Sequence, residues 1–163
     1  METITIHQRF GKVILKEIAI DLLHSSAYQP RDMFSEEALE SLSQTIARLG
    51  ILEPLIVRAS ASTLDHFEII AGERRWRAAK RAGLTEVPCL VSNYSDEQAA
   101  QVALIENTAR EALNPIAEAL AIQRLTIEFR YTHEEVGTLL GMSRVHVTNL
   151  LRLLNLDARI QHW

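Results

Sequence analysis

Ala71-Gly-Glu-Arg-Arg-Trp-Arg-Ala-Ala-Lys-Arg-Ala-Gly83 runs from a strand-like stretch straight into a helical one. A glycine ahead of a helix N-terminus leaves backbone N–H groups without partners inside the helix, and these can receive an anion such as a phosphate. Five basic residues (Arg74, Arg75, Arg77, Lys80, Arg81) stand here against one acid, Glu73. Arg74, Arg77 and Arg81 share one helical stripe, while Trp76, Ala79 and Gly83 share another that should face a core. The same spacing also suits a solvated basic face on a structural helix. A second group, Glu106, Asn107 and Arg110, sets two adjacent hard oxygen donors of the kind Mg²⁺ accepts one turn before an arginine that could hold a phosphate. Glu106 and Arg110 would equally form an ordinary i, i+4 ion pair.

The third group lies near the end of the chain. Thr132 to Leu140 reads as a short helix, Gly141-Met142 as a turn, and Ser143 as the cap of a second helix. In that second helix Val147, Leu150, Leu151 and Leu154 recur at packing intervals and leave Arg144, Val145, His146, Thr148, Asn149 and Arg152 outward. This is the pattern of a helix-turn-helix that reads duplex DNA in the major groove. Arg144, His146 and Asn149 are the candidates for base edges, and Ser143, Thr148 and Arg152 for phosphates. A plain helical hairpin needs the apolar spacing and the glycine turn, but not the row of donors on the outer face.

The elements that must position these groups are also legible. Val13 to Ile20 reads as a strand, followed by a polar loop from Ser25 to Arg31. Ser35 caps a helix whose apolar face is Leu39, Leu42, Ile46 and Leu49, and Gly50 ends it. Leu55–Arg58 and His66–Ala71 form a hairpin, Glu73–Ala82 a helix and Val87–Val91 a buried strand. From Ser95 onward the chain is helical. A capping box, Ser95-Asp-Glu-Gln98, opens a helix to about Arg110, and Asn114-Pro115 starts another to about Arg130. The fold class is therefore α+β: a small mixed domain over residues 1–113, then an all-α DNA-binding domain over residues 114–163.

Composition narrows the function classes. The 163 residues are 47% hydrophobic and 23% charged, within the ordinary globular range. No apolar run approaches the roughly 20 residues of a membrane span, and the N-terminus lacks a basic segment followed by an apolar one, so a soluble cytoplasmic protein is expected. The net charge of -4 means that any DNA-binding surface must be locally rather than globally basic. The single cysteine, Cys89, sits in an apolar run and reads as core, and the six histidines show no zinc spacing.

Taken together, Tyr28-Gln-Pro-Arg31, Gly50-Ile-Leu-Glu-Pro-Leu-Ile-Val-Arg58, Ala71-Gly-Glu-Arg-Arg-Trp-Arg-Ala78, Glu106-Asn-Thr-Ala-Arg110, Leu113-Asn-Pro115 and Gly141-Met-Ser-Arg-Val-His-Val-Thr-Asn-Leu-Leu-Arg-Leu-Leu154 resemble the ParB family of DNA-partition proteins, in order, from about Val13 to Leu156. The resemblance implies a CTP-binding first domain. In it Gly72, Arg74 and Arg75 contact phosphates, with Gln29 and Arg31 also at the nucleotide. Glu106 and Asn107 hold Mg²⁺, Arg110 holds a phosphate, and Gln29 and Glu73 sit near the γ-phosphate and influence hydrolysis. It further implies a palindromic partition site on a chromosome or plasmid, nucleoid or plasmid association, a CTP-closed homodimeric DNA clamp that reopens on slow hydrolysis, and a ParA-type partner ATPase. A transcription repressor without nucleotide switching, and a small-molecule kinase on the same nucleotide fold, are the competing classes.

Two departures from the family pattern stand out. Ala112 replaces a common acidic residue, and Gly137 replaces the alanine usual in the first helix of the pair. On propensity alone Gly137 should weaken that helix by about 1 kcal/mol. The family also continues into a C-terminal dimerisation domain, so the chain reads as a truncated or unusually short member.

Overall fold

The computed structural model describes residues 10–26, 35–110 and 114–156, with the side chain of Arg110 outside that description. The order of elements is β1 (Ile14–Ala19), a 3-10 turn (Ile20–Leu22), β2 (Leu23–Ser25), α1 (Glu36–Leu49), β3 (Leu55–Ala59), β4 (Phe67–Ala71), α2 (Glu73–Arg81), β5 (Glu86–Val91), α3 (Asp96–Arg110), α4 (Pro115–Ile127), α5 (His133–Leu140) and α6 (Arg144–Leu153). The α+β class follows directly. The chain divides into two compact units between Ala103 and Leu104, a point inside α3.

In the first unit five strands form one mixed sheet in the order β1-β5-β3-β4-β2. β1 and β5 are antiparallel, as are β3 and β4, whereas β5 runs parallel to β3 and β2 parallel to β4. The β3–β4 hairpin is as expected. β2 is an addition: Leu23 and His24 lie between the expected strand and the expected polar loop, Ser25 opens that loop, and three residues are too few to show a period of two.

One face of the sheet buries Ile18, Leu55, Val57, Ile69, Val87 and Cys89 beneath Ile46 of α1 and Ala78 and Ala79 of α2. The other buries Ile56 and Ile70 against Tyr94 and, from α3, Ala99 and Val102. The two faces separate along β3 because successive strand side chains alternate. β4 spends one extra residue, Ile70, opposite the Ile56–Val57 step, a bulge just before the strand turns into α2.

Local chemistry sets the helix starts. Ser35 accepts the Ala38 amide at 3.2 Å and Asn114 the Ala117 amide at 2.8 Å, with Pro115 in the first turn. Ser95 and Gln98 exchange side chain-to-backbone bonds as a capping box.

Three expectations shift. The α1 stripe buries Ser43 with Ile46 but leaves Leu49, the last residue of the helix, 63% exposed. Gly83 is exposed, and Ala78 and Ala79 take the core side of α2. α4 stops at Ile127 rather than near Arg130: Arg130 adopts φ 57° and the Tyr131 amide returns to the Leu125 carbonyl at 3.1 Å, closing the helix with an arginine where glycine is usual.

In the second unit α4, α5 and α6 pack on one another around Ala119, Ile122, Leu125, Val136, Val147 and Leu150.

Candidate functional site

Two sites grow from this scaffold, one in each unit. In the first, the β4–α2 junction turns at Gly72 with φ 102° and ψ 20°, a left-handed conformation that L side chains avoid. A Cβ there would stand 3.0 Å from Leu55 Cγ and 3.2 Å from Arg75 Nη2, so the residue also fits only as glycine. The first intrahelical bond of α2 is Trp76 N–H to the Gly72 carbonyl, at 3.0 Å. Helix geometry gives the amides ahead of it no acceptor within α2, the arrangement that can receive an anion.

Side chains complete the cradle. Glu73 is 6% exposed; its Oε1 accepts from Ser25 Oγ at 2.7 Å and from Arg77 Nε at 2.9 Å. Its Oε2 is buried with no hydrogen-bond partner among the described residues. Arg75 is folded back along the chain entering β3, where Nη1 donates to the carbonyls of Glu53 and Pro54, the latter at 2.9 Å. Arg74 is exposed. Arg81, on the same stripe, is occupied elsewhere: it pairs with Glu36 at 2.7 Å and Glu40 at 3.6 Å and ties α2 to α1. Lys80 lies 4.6 Å over the Trp76 ring. The expected basic stripe is thus exposed but divided: Arg77 bonds Glu73 within α2, and Arg81 is turned to α1.

Glu106 and Asn107 follow one another on α3, Glu106 half-buried and Asn107 exposed. They belong to the second unit and Gly72 to Arg75 to the first. Among the described residues no three His, Cys, Asp or Glu side chains gather as a metal cage. Gln29, Arg31 and Ala112 lie outside the described residues. Arg110 does belong to α3.

The second site is the helix pair. Thr132 and Glu135 form a full capping box ahead of α5, and Gly141 follows it at φ 68°. Ser143 caps α6 by accepting the His146 amide at 3.1 Å. Val147 and Leu150 are buried, Leu151 and Leu154 half-buried, and Ser143, Arg144, Val145, His146, Asn149 and Arg152 exposed on the opposite side. Thr148 departs from the outward set. It is half-buried, its Oγ donates to the Arg144 carbonyl at 3.0 Å, and it lies 3.0 Å from His133 Nδ1. The hydroxyl proton is thereby used inside the helix pair.

Sequence reading missed Ser25 and the Glu53–Pro54 carbonyls as parts of the first site. Nothing local marks them: Ser25 meets Glu73 across 48 positions, through β2 lying beside β4.

The description "ParB N-terminal domain" matches residues 5–108 and "ParB HTH domain" residues 111–163. Among curated relatives, the "Probable chromosome-partitioning protein ParB" of Coxiella burnetii is 47% identical over 151 residues, covering 93% of this chain and 51% of that protein. The protein of the same name from Vibrio cholerae is 50% identical over 143 residues, covering 88% and 48%. The chain thus spans about half the length of these relatives. Among solved structures, C-terminally truncated ParB of Caulobacter crescentus complexed to the centromeric parS site aligns with TM-score 0.81 at 41% identity, over 90% of this chain and 75% of that one. The same protein complexed with CTP-gamma-S aligns with TM-score 0.58 at 42% identity, over 91% and 83%. The first unit's mixed sheet with its Gly72 turn, the helix pair of the second unit and these matches lead to one assignment: the chain belongs to the ParB family.

Proposed function

We propose that this chain is the nucleotide- and DNA-binding part of a chromosome-partitioning ParB, which loads on a palindromic centromere-like site and uses CTP to close and reopen a DNA clamp. The observation that carries the proposal is the outer face of α6. Five polar side chains, Ser143, Arg144, His146, Asn149 and Arg152, stand exposed on a helix whose other side is locked by Val147 and Leu150, in a chain 41% identical to a ParB bound to parS. Arg144, His146 and Asn149 reach base edges, while Ser143 and Arg152 hold phosphates. Thr148 serves this face by bracing the first turn of α6 through the Arg144 carbonyl.

The Gly72 turn supports the nucleotide half of the proposal, because a Cβ-free, left-handed N-terminus with Arg74 and Arg75 beside it suits a triphosphate. Glu106 and Asn107 would hold Mg²⁺, which commonly takes one or two protein oxygens and completes its shell with phosphates and water. Arg110 would add a phosphate contact, and Gln29 and Arg31 would complete the nucleotide set. CTP supplies the γ-phosphate whose loss resets the switch. Gln29 and Glu73, the latter held by Ser25 and Arg77 through Oε1, would sit near the γ-phosphate and influence its hydrolysis. A ligand shifts a clamp toward closure only by binding the closed arrangement more tightly, which a triphosphate bridging separate segments does. Slow hydrolysis follows from timing a switch, and a homodimer and a ParA-type ATPase are the partners.

The test is CTP turnover by wild type and Arg75→Ala, with parS duplex or a scrambled duplex. Turnover should rise with parS and vanish in the variant. Turnover that is indifferent to both parS and the substitution removes the switch and leaves a DNA-binding protein without nucleotide control.

A further inference from the structure

Val145 is 68% exposed, on the second residue of α6 between the equally outward Arg144 and His146. It contributes nothing to the unit's core, which on this helix is supplied by Val147 and Leu150. A β-branched residue is also a poor helix former, and on a polar outer face nothing repays that choice. In a helix, however, valine holds one dominant χ1 rotamer, so its two methyl groups are presented in a fixed direction. The first residues of the second helix in a helix-turn-helix are those that meet base edges in the major groove. On those edges every hydrogen-bonding group is polar, and the single apolar feature is the C5-methyl of thymine.

We propose that Val145 is a specificity-determining residue that reads one thymine methyl in each half-site, between the bases read by Arg144 and His146. The inference rests on the proposed DNA-reading role of α6 and adds to it an apolar contact that hydrogen-bond reasoning leaves out. Preorganisation supports the assignment: the Ser143 cap fixes the helix start, and the Thr148 hydroxyl on the Arg144 carbonyl braces the same turn. The Val145 methyl groups therefore reach the groove without further ordering.

The test replaces single thymines of a parS duplex with deoxyuridine, which removes only the C5-methyl, and measures binding of wild type, Val145→Ser and Val145→Thr. In wild type one position per half-site should lose about fourfold in affinity, the worth of one buried methyl. Val145→Ser should bind the thymine and deoxyuridine forms of that position alike, and Val145→Thr, with one methyl left, should retain part of the difference; such coupling is what a double-mutant cycle isolates. Wild type indifferent to every replacement, or a sensitive position that stays equally sensitive in Val145→Ser, overturns the proposal. Failure of wild type to prefer parS over scrambled duplex is a separate result, and it overturns the DNA-reading role together with this inference. Val145 is exposed, so both variants should keep the wild-type Tm, which is checked alongside.

Discussion

Gly137 and Met142 meet backbone to backbone across the turn of the helix pair. The Met142 amide donates to the Gly137 carbonyl at 2.8 Å, and a Cβ on residue 137 would stand 2.6 Å from the Met142 carbonyl oxygen. This contact reverses the expectation from helix propensity. Alanine would favour α5 by about 1 kcal/mol in isolation, but here it must push the turn, and with it Ser143, out of place. Gly137→Ala should therefore lower stability by about 1–2 kcal/mol net, read as a fall in the urea midpoint at constant m. A rise in the midpoint would show that the turn yields freely.

Gly72→Ala should fail for two reasons together, the left-handed backbone and the 3.0 Å approach to Leu55. The expected loss is about 1–3 kcal/mol, with CTP binding lost under conditions where the variant is still folded. Arg81→Ala is the control on the same helix: its guanidinium is engaged with Glu36 and Glu40, so CTP affinity should be unchanged. Calorimetric titration of both variants separates a local site from a generally basic helix.

Arg152→Ala and Thr148→Val should differ in kind. Removing a phosphate contact should reduce the slope of log affinity against log salt by about one. Thr148→Val should leave that slope alone and cost about 1 kcal/mol of stability through the lost bonds to Arg144 and His133. Anisotropy titrations at several salt concentrations, with a thermal melt of each variant, decide it. A slope change in Thr148→Val would return its hydroxyl to the DNA.

Arg130→Gly should stabilise the protein by about 0.5–1 kcal/mol, since a left-handed residue that closes a helix carries a penalty that glycine escapes. A melt that moves down instead would mean that the arginine side chain contributes more than its backbone costs.

Burial pushes the Cys89 thiol up to about 12, with Glu17 adding to the rise. The native protein should therefore resist iodoacetamide at pH 8 and react promptly once unfolded. The sign for stability follows. Between about pH 9 and 12 the unfolded thiol ionises while the folded one keeps its proton, so the unfolded state is favoured and stability falls as pH rises. Cys89→Ala should flatten that part of the pH–stability curve.

What the sequence alone determined lies within a few residues along the chain. Ser35, Asn114, Thr132 with Glu135, and Ser143 announce their helices because a cap bonds to an amide two or three positions ahead. The outward row of α6 follows from the spacing of Val147 and Leu150. Even the Gly72 turn could be placed between a strand and a helix. Tertiary structure decided everything that depends on segments meeting across long separations: the order β1-β5-β3-β4-β2, the recruitment of β2 beside β4 that brings Ser25 to Glu73, the Glu53 and Pro54 carbonyls that hold Arg75, the diversion of Arg81 to α1, and the inward turn of Thr148 onto His133. The physical reason is the same in each case. Local hydrogen bonding and periodicity are properties of neighbours in sequence, whereas a partner 21 or 48 positions away is chosen by which surfaces the core brings together.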